Sequence, residues 1–265
     1  MIRRGIGVQS FVAAGGADDA QAVIAAIEST GVTLTTTQKN ACTTLISDLK
    51  TYGIWTKMKA VYGFLGGTAG AHKWNWKNPA DTDAAFRLVF FGGAQHTSTG
   101  WLPNGTNGYA DTKLNENNII TLNSEHISFY SRSNTATNSA DISCVGSGTE
   151  TNMYPRFGNN IYGRIQGTSG IASSNNDSRG LFIANRINSS QVFVYKNSTK
   201  YTVSSNNQGK CNNSITLGAV ITTPNNNYSD RELAFASIGD GLTDTEAANL
   251  YTAVQAYQTT LSRNV

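Results

Sequence analysis

From about residue 84 to residue 237 the chain breaks into short runs rich in Val, Ile, Phe, Tyr and Thr, each of strand length and divided from the next by Asn and Gly. Branched and aromatic side chains suit a pleated sheet, and Asn and Gly tolerate the positive φ of tight turns. This punctuation predicts strands at 85–90, 118–122, 126–132, 141–145, 161–165, 180–186, 191–196, 200–203, 214–221 and 232–237. Within 126–131 and 181–185, apolar residues alternate with small or polar ones, as a strand with two different faces requires. About ten strands joined by turns form a two-sheet antiparallel sandwich, so the fold class is mainly β. One hairpin is nearly explicit: Val192 to Tyr195 and Tyr201 to Val203 flank Lys196-Asn197-Ser198-Thr199-Lys200, with Asn197 placed to turn the chain.

The two ends read as helices. Ala20, Val23, Ile24 and Ile27 recur at helical spacing behind the acidic pair Asp18 and Asp19. Thr35 and Gln38 have capping-box spacing, Ala41, Leu45, Leu49 and Tyr52 form one stripe, and Gly53 stands where a helix would stop. At the other end Thr243 and Glu246 repeat the capping box, and Leu242 is placed to staple onto Ala247. The stripe Ala247, Leu250, Tyr251, Val254, Tyr257 and Leu261 then predicts a helix over 243–262, with Arg263, Asn264 and Val265 left to fray. The expected organisation is a helical attachment lead over 1–60 and a sandwich with its C-terminal helix over 61–265.

Charged residues are only 14% of the chain and the formal net charge is +3, with Lys and Arg scattered, so no nucleic-acid-binding patch is expected. The longest apolar runs, such as Leu88-Val89-Phe90-Phe91, are far short of a membrane span. Met1 to Arg4 has the positive flank of a signal peptide, but Gln9, Ser10 and several glycines interrupt the apolar stretch that should follow, so no cleaved leader is expected. Cys42, Cys144 and Cys211 are far apart and lack metal-ligand spacing, which reads as three free, mostly buried thiols formed in a reducing cytosol.

The segment Glu232 to Glu246 resembles the closing strand and the Leu-Ser/Thr-Asp-x-Glu helix start of laminin-G/concanavalin A-like domains, here Leu242-Thr243-Asp244-Thr245-Glu246. The Tyr195-Lys196-Asn197 hairpin is similar to theirs, with Ser198 where those domains favour Gly. This resemblance covers roughly residues 84–262 and implies a jelly-roll sandwich. More narrowly, Tyr52 to Ala60, His72-Lys73-Trp74-Asn75, Leu102 to Thr112 and Phe235 to Gly241 resemble a group of proteins encoded by tailed phages of Bacteroidetes-type hosts. The resemblance implies a virion protein of a tail, fibre or head decoration, partnered by other virion proteins and by copies of itself, and made in the host cytoplasm. Calcium is the metal that laminin-G-type domains imply, and Asp111 and Asp177 are its candidate ligands here.

No catalytic constellation stands out. Glycan-cleaving relatives of this fold carry closely spaced carboxylates on one strand, whereas Glu116, Glu125 and Glu150 are isolated, and Asp81 with Asp83 reads as a cap or a solvated turn. Asp230-Arg231-Glu232 reads as a solvated strand start, and His72, His96 and His126 share no ligand spacing. The chain is therefore read as a non-enzyme. Binding needs less, only an aromatic platform with amide donors. Trp101, Asn104, Asn107 and Tyr109 lie in turn-rich sequence and fit stacking on a sugar ring, so host-surface glycan is the expected ligand. A purely architectural virion role without ligand is the alternative, and a glycan depolymerase ranks below both. Trp74 and Trp76 are expected to pack the helical lead onto the sandwich.

Overall fold

The computed structural model describes residues 15–146, 148–168, 170, 173–222 and 226–265; the stretch 1–14, which holds most of the segment read for a leader, lies outside them. Helices are α1 (Gly15–Glu28), α2 (Thr36–Thr51), α3 (Ala69–His72), α4 (Glu116–Ile119) and α5 (Asp244–Thr260). The strands up to the middle of the chain are β1 (Met58–Tyr62), β2 (Val89–Phe91), β3 (Ala94–His96), β4 (Trp101–Pro103), β5 (Tyr109–Asn115), β6 (Glu125–Ser131), β7 (Ile142–Gly146) and β8 (Thr149–Phe157). They continue with β9 (Asn160–Gly167), β10 (Ser173–Ser174), β11 (Gly180–Arg186), β12 (Gln191–Lys196), β13 (Thr199–Ser204), β14 (Ser214–Leu217), β15 (Ala219–Val220), β16 (Asn227–Tyr228) and β17 (Leu233–Gly239).

Both long capped helices start where the capping boxes place them. Thr35 Oγ1 accepts from the Gln38 amide while the Thr35 amide donates to Gln38 Oε1, and Thr243 and Glu246 repeat the exchange. Each box satisfies two amides that a helix start leaves without partners. Gly53 follows α2 at φ 73°, the left-handed conformation that ends a helix with least strain.

The described strands form two large antiparallel sheets and a two-stranded ribbon, β15–β16. The first has the order β13-β12-β11-β6-β17-β4-β3, with β1 also on β17, and the second has the order β10-β9-β8-β7-β14-β5-β2. One apolar core lies between them, with Ile127, Phe129, Phe182, Ala184, Val194 and Ile238 from the first sheet meeting Leu114, Ile142, Met153, Ile161, Ile165 and Ile215 from the second. A second core lies on the outer face of the first sheet, where Tyr130, Leu181, Ile183, Phe193, Tyr195 and Phe235 meet the apolar stripes of α1, α2 and α5. The first sheet is covered on both faces, which is why β6, β11 and β17 are buried at every position. β5 instead alternates between buried and half-exposed positions. Trp74 and Trp76 pack in the helix-side core as expected, and Gly63 is needed there because a Cβ would stand 2.0 Å from the Trp76 indole.

Several expectations are corrected. Cys144 and Cys211 form a disulfide across 67 residues, since Cys144 on β7 and Cys211 on the chain entering β14 are both buried in the inter-sheet core; of the three cysteines Cys42 is free, and it is buried. Residues 118–122 are not a strand: the Asn115 side chain accepts from the Asn118 amide and starts the turn of helix α4. The strand expected at 85–90 begins only at Val89, because Phe86 takes a left-handed φ of 59° after a 3₁₀ turn. The expected strands also leave out β1, β3, β4, β5, β8, β10 and β16.

The interior carries a polar framework. Arg231 is not at a solvated strand start: its guanidinium is fully buried, Nε donates to Asp141 Oδ2 at 2.8 Å, and the remaining donors reach the carbonyls of Thr137 and Ser139. Nor does the C-terminus fray at Arg263. That side chain is buried and donates to Gln258 Oε1 and to the carbonyls of Gly63, Phe64 and Ala234, tying the tail, the chain after β1 and β17 together. Below α5, His126 Nδ1 donates to the Asp240 carbonyl at 2.7 Å, Ser237 Oγ donates to His126 Nε2 at 3.1 Å, and Ser128 Oγ donates to Ser237. This Ser–Ser–His chain has catalytic residue types, yet all three side chains are fully buried, so it holds strands rather than substrate. His72 is buried with its Nδ1 3.0 Å from that of His96, and burial lowers both rings below the usual imidazole range.

Arg263→Ala leaves the buried Phe64 carbonyl and Gln258 Oε1 without their donor, while the Gly63 and Ala234 carbonyls keep Tyr257 and Gln258, and urea unfolding is expected to show a loss on the order of 2 kcal/mol. Burial lowers His126 to about 4, so its ring in the folded chain stays neutral at pH values where an unfolded chain protonates it. The folded state then binds fewer protons, and this histidine's contribution is present above about pH 6.5 and withdrawn as the pH falls toward 4. In ring-proton NMR spectra His126 is expected to show no titration between about pH 7 and 5, a range centred on the ordinary imidazole value.

Candidate functional site

With the helices on the first sheet, the second sheet turns its outer face away from them. Register alone assembles a row there: Val89 pairs with Asp111, Asp111 with Thr216, Thr216 with Ser143, Ser143 with Asn152 and Asn152 with Arg164. Paired residues on neighbouring strands share a face, so these six side chains stand side by side across β2, β5, β14, β7, β8 and β9. At about 4.8 Å per strand the row is roughly 24 Å long.

Aromatic rings flank both ends. At one end Phe91 and Tyr109 stack with centroids 4.8 Å apart and Tyr228 lies 6.3 Å from Tyr109. At the other, Tyr154, Phe157 and Tyr162 gather with centroids 5.3 to 6.2 Å apart, and the Arg164 guanidinium lies over the Tyr162 ring at 4.7 Å. Phe91 is 40% and Phe157 48% exposed, so each end offers a ring edge to solvent. Between them a cleft of about 490 Å³ is lined by Tyr109, Asp111, Ser143, Asn213, Thr216 and Thr222, among others. The β15–β16 ribbon forms one wall, held because Ser143 Oγ and Thr216 Oγ1 both donate to the Ala219 carbonyl.

Charge on this face is balanced pair by pair. Asp111 accepts from the Lys113 amide and ammonium, and Glu150 is bonded by Arg164 and by the Asn152 amide. Burial, followed by the Glu150 charge, pushes the Tyr154 phenol up to about 12, so it remains a neutral donor. Asn152 Oδ1 is buried and has no partner. Rings for stacking, with amides and hydroxyls for hydrogen bonds, suit a polyhydroxylated ligand. The two carboxylates beside the row, Asp111 and Glu150, are each tied to a cation.

The residues singled out from sequence scatter. Trp101 is corrected: it lies on β4, is 0% exposed and stacks on Phe64 in the inter-sheet core, where it cannot meet a ligand from solvent. Asn104 and Asn107 close a turn on themselves, Asn104 Oδ1 accepting from the amides of Thr106, Asn107 and Gly108 and Asn104 Nδ2 donating to Asn107 Oδ1. Asn104 borders a separate hollow of about 510 Å³ with Gln95, Pro103 and Asp230. Tyr109 does line the cleft, and Asp111 lines it beside Tyr109, on a strand rather than in a loop. Asp177 is elsewhere, paired with Arg179, so the two aspartates share no site. Ser143, Asn152, Thr216, Tyr162 and Arg164 were missed; the alternation in 109–115 and 160–167 was the signal that pointed outward along those strands.

No family model and no curated protein matches the sequence. Solved structures do match the fold. The receptor binding domain of botulinum neurotoxin C/D mosaic serotype is 12% identical with a TM-score of 0.51, and the match covers 75% of this chain and 52% of that one. The binding domain of botulinum neurotoxin DC, solved in complex with rat synaptotagmin II, is 14% identical with a TM-score of 0.54, covering 76% and 52%. This chain therefore spans about half the length of those domains, and what it shares with them is the β-sandwich.

Proposed function

We propose that the protein is a non-enzymatic glycan-binding module whose site is the outer face of the second sheet. The observation that carries this reading is the open cleft over the registered polar row, with exposed aromatic rings at both ends of the sheet. Stacking supplies most of the contact area, while Asp111, Asn213 and Thr222, which line the cleft, meet hydroxyls above the buried Ser143 and Thr216. The like fold of receptor-binding domains supports the reading, since such a sandwich displays ligand sites in other proteins. The setting we propose is a tailed-phage virion in which repeated copies face the host surface; its support is the resemblance of Tyr52 to Ala60, Leu102 to Thr112 and Phe235 to Gly241 to phage proteins. The reading requires no cofactor.

A glycan array of bacterial surface polysaccharides followed by titration calorimetry tests it. Tyr109→Ala and Tyr162→Ala are each expected to weaken binding about tenfold, the worth of one aromatic contact. Tyr251→Ala, on the helix side, is expected to leave affinity unchanged. Absence of saturable binding, or full affinity in both face variants, overturns the proposal. Burial of this face against other virion chains in a cryo-electron microscopy map does so too, and favours the architectural role.

A further inference from the structure

Glu116, Cys144 and Cys211 meet in the interior where α4, β7 and the chain entering β14 converge. All three are buried, and a carboxylate oxygen of Glu116 and both Sγ atoms lie within 4.8 Å of one another. Glu116 Oε1 accepts from the Cys211 amide at 3.2 Å. Fully buried Glu125 sits beside Glu116; its Oε2 accepts from Thr151, and the two acid side chains bond each other. Such a pair of buried acids must keep at least one proton between them, because two adjacent carboxylate charges away from water are costly. The cations that face the pair are Lys210, anchored on the carbonyls of Asn117 and Ile120, and Arg186, anchored on those of Ile165 and Ser205.

We propose that reduction of the Cys144–Cys211 disulfide opens a buried site for one thiophilic divalent cation of the zinc class, held by Cys144, Cys211 and Glu116. A dithiol, oxidised to its own disulfide, or a phosphine, oxidised by way of one water to its oxide, supplies two electrons and two protons; the S–S bond breaks, and two thiols form. The entering cation displaces both thiol protons to solvent, with any proton on Glu116, and forms two metal–sulfur bonds and one metal–oxygen bond. Zinc bonds of about 2.3 Å to sulfur and 2.1 Å to oxygen set ligand atoms roughly 3.5 to 3.8 Å apart. The two sulfurs part as the S–S bond breaks, and the Glu116 oxygen, within 4.8 Å of both, closes on the ion. Thiolates select a soft ion over calcium or magnesium. Glu125 is the outer partner that orients Glu116, and Lys210 offsets the surplus negative charge. The 67-residue gap between the cysteines hid the set, because only the fold of β7 against β14 closes it.

The test uses the full chain carrying Cys42→Ala, so that only two thiols remain, with Co²⁺ as the probe. After phosphine reduction, one Co²⁺ per chain with a thiolate-to-cobalt charge-transfer band is expected, and none for the oxidised chain. Glu116→Gln is expected to weaken uptake at least about tenfold. A folded, reduced chain that shows no band overturns the proposal, as does a band that persists in Cys144→Ser/Cys211→Ser. Should reduction unfold the chain, recovery of its circular dichroism with Zn²⁺ but not Mg²⁺ supports the site, and failure to recover overturns it.

Discussion

Everything in this molecule depends on the burial of the first sheet from both sides. A strand buried on one face must offer polar side chains to water on the other; β6, β11 and β17 cannot, and their outward residues are Tyr130, Leu181, Ile183 and Phe235. Those side chains require the layer made by α1, α2 and α5. Once that layer is in place, the orientation of the sandwich is decided. One sheet becomes the inner support, and the other becomes the surface the protein can use.

The helical layer also explains why so many polar groups lie inside. Three layers bring loop ends and helix ends together at depth, where backbone carbonyls need donors. Arginines answer that need: Arg186, Arg231 and Arg263 are all among the largest fully buried side chains, and most of their bonds go to carbonyls. Each is therefore a fastener between segments distant in sequence. The Ser128–Ser237–His126 chain is of the same kind, which is why residue types that suggest catalysis hold strands here.

Local signals were legible and pairing was not. The capping boxes at Thr35 and Thr243, the strands at 180–186 and 191–196, and the Asn197 turn could be read because each depends on residues within one or two turns of chain. Strands β3 and β4 escaped because three-residue strands carry no periodicity, and β8 because Pro155 and several polar residues disguise it. The site was harder still. Tyr109 and Asp111 were named, but Trp101 sits on the opposite side of its strand from solvent, a distinction that composition does not record. Ser143, Thr216 and Asn152 look like ordinary strand residues until register places them in line.

That line of side chains sets how such a surface can change over evolutionary time. Its members come from six strands, and they share a face only because the register across the sheet is kept. Inserting one residue in β14 would turn Thr216 inward and bring Ile215 to the surface, exchanging a polar face for an exposed core in a single event. Changes to this face must therefore arise by replacement within the strands, or by lengthening the segment between β15 and β16 beside the cleft. The sheet acts as a fixed keyboard on which only the letters can be altered.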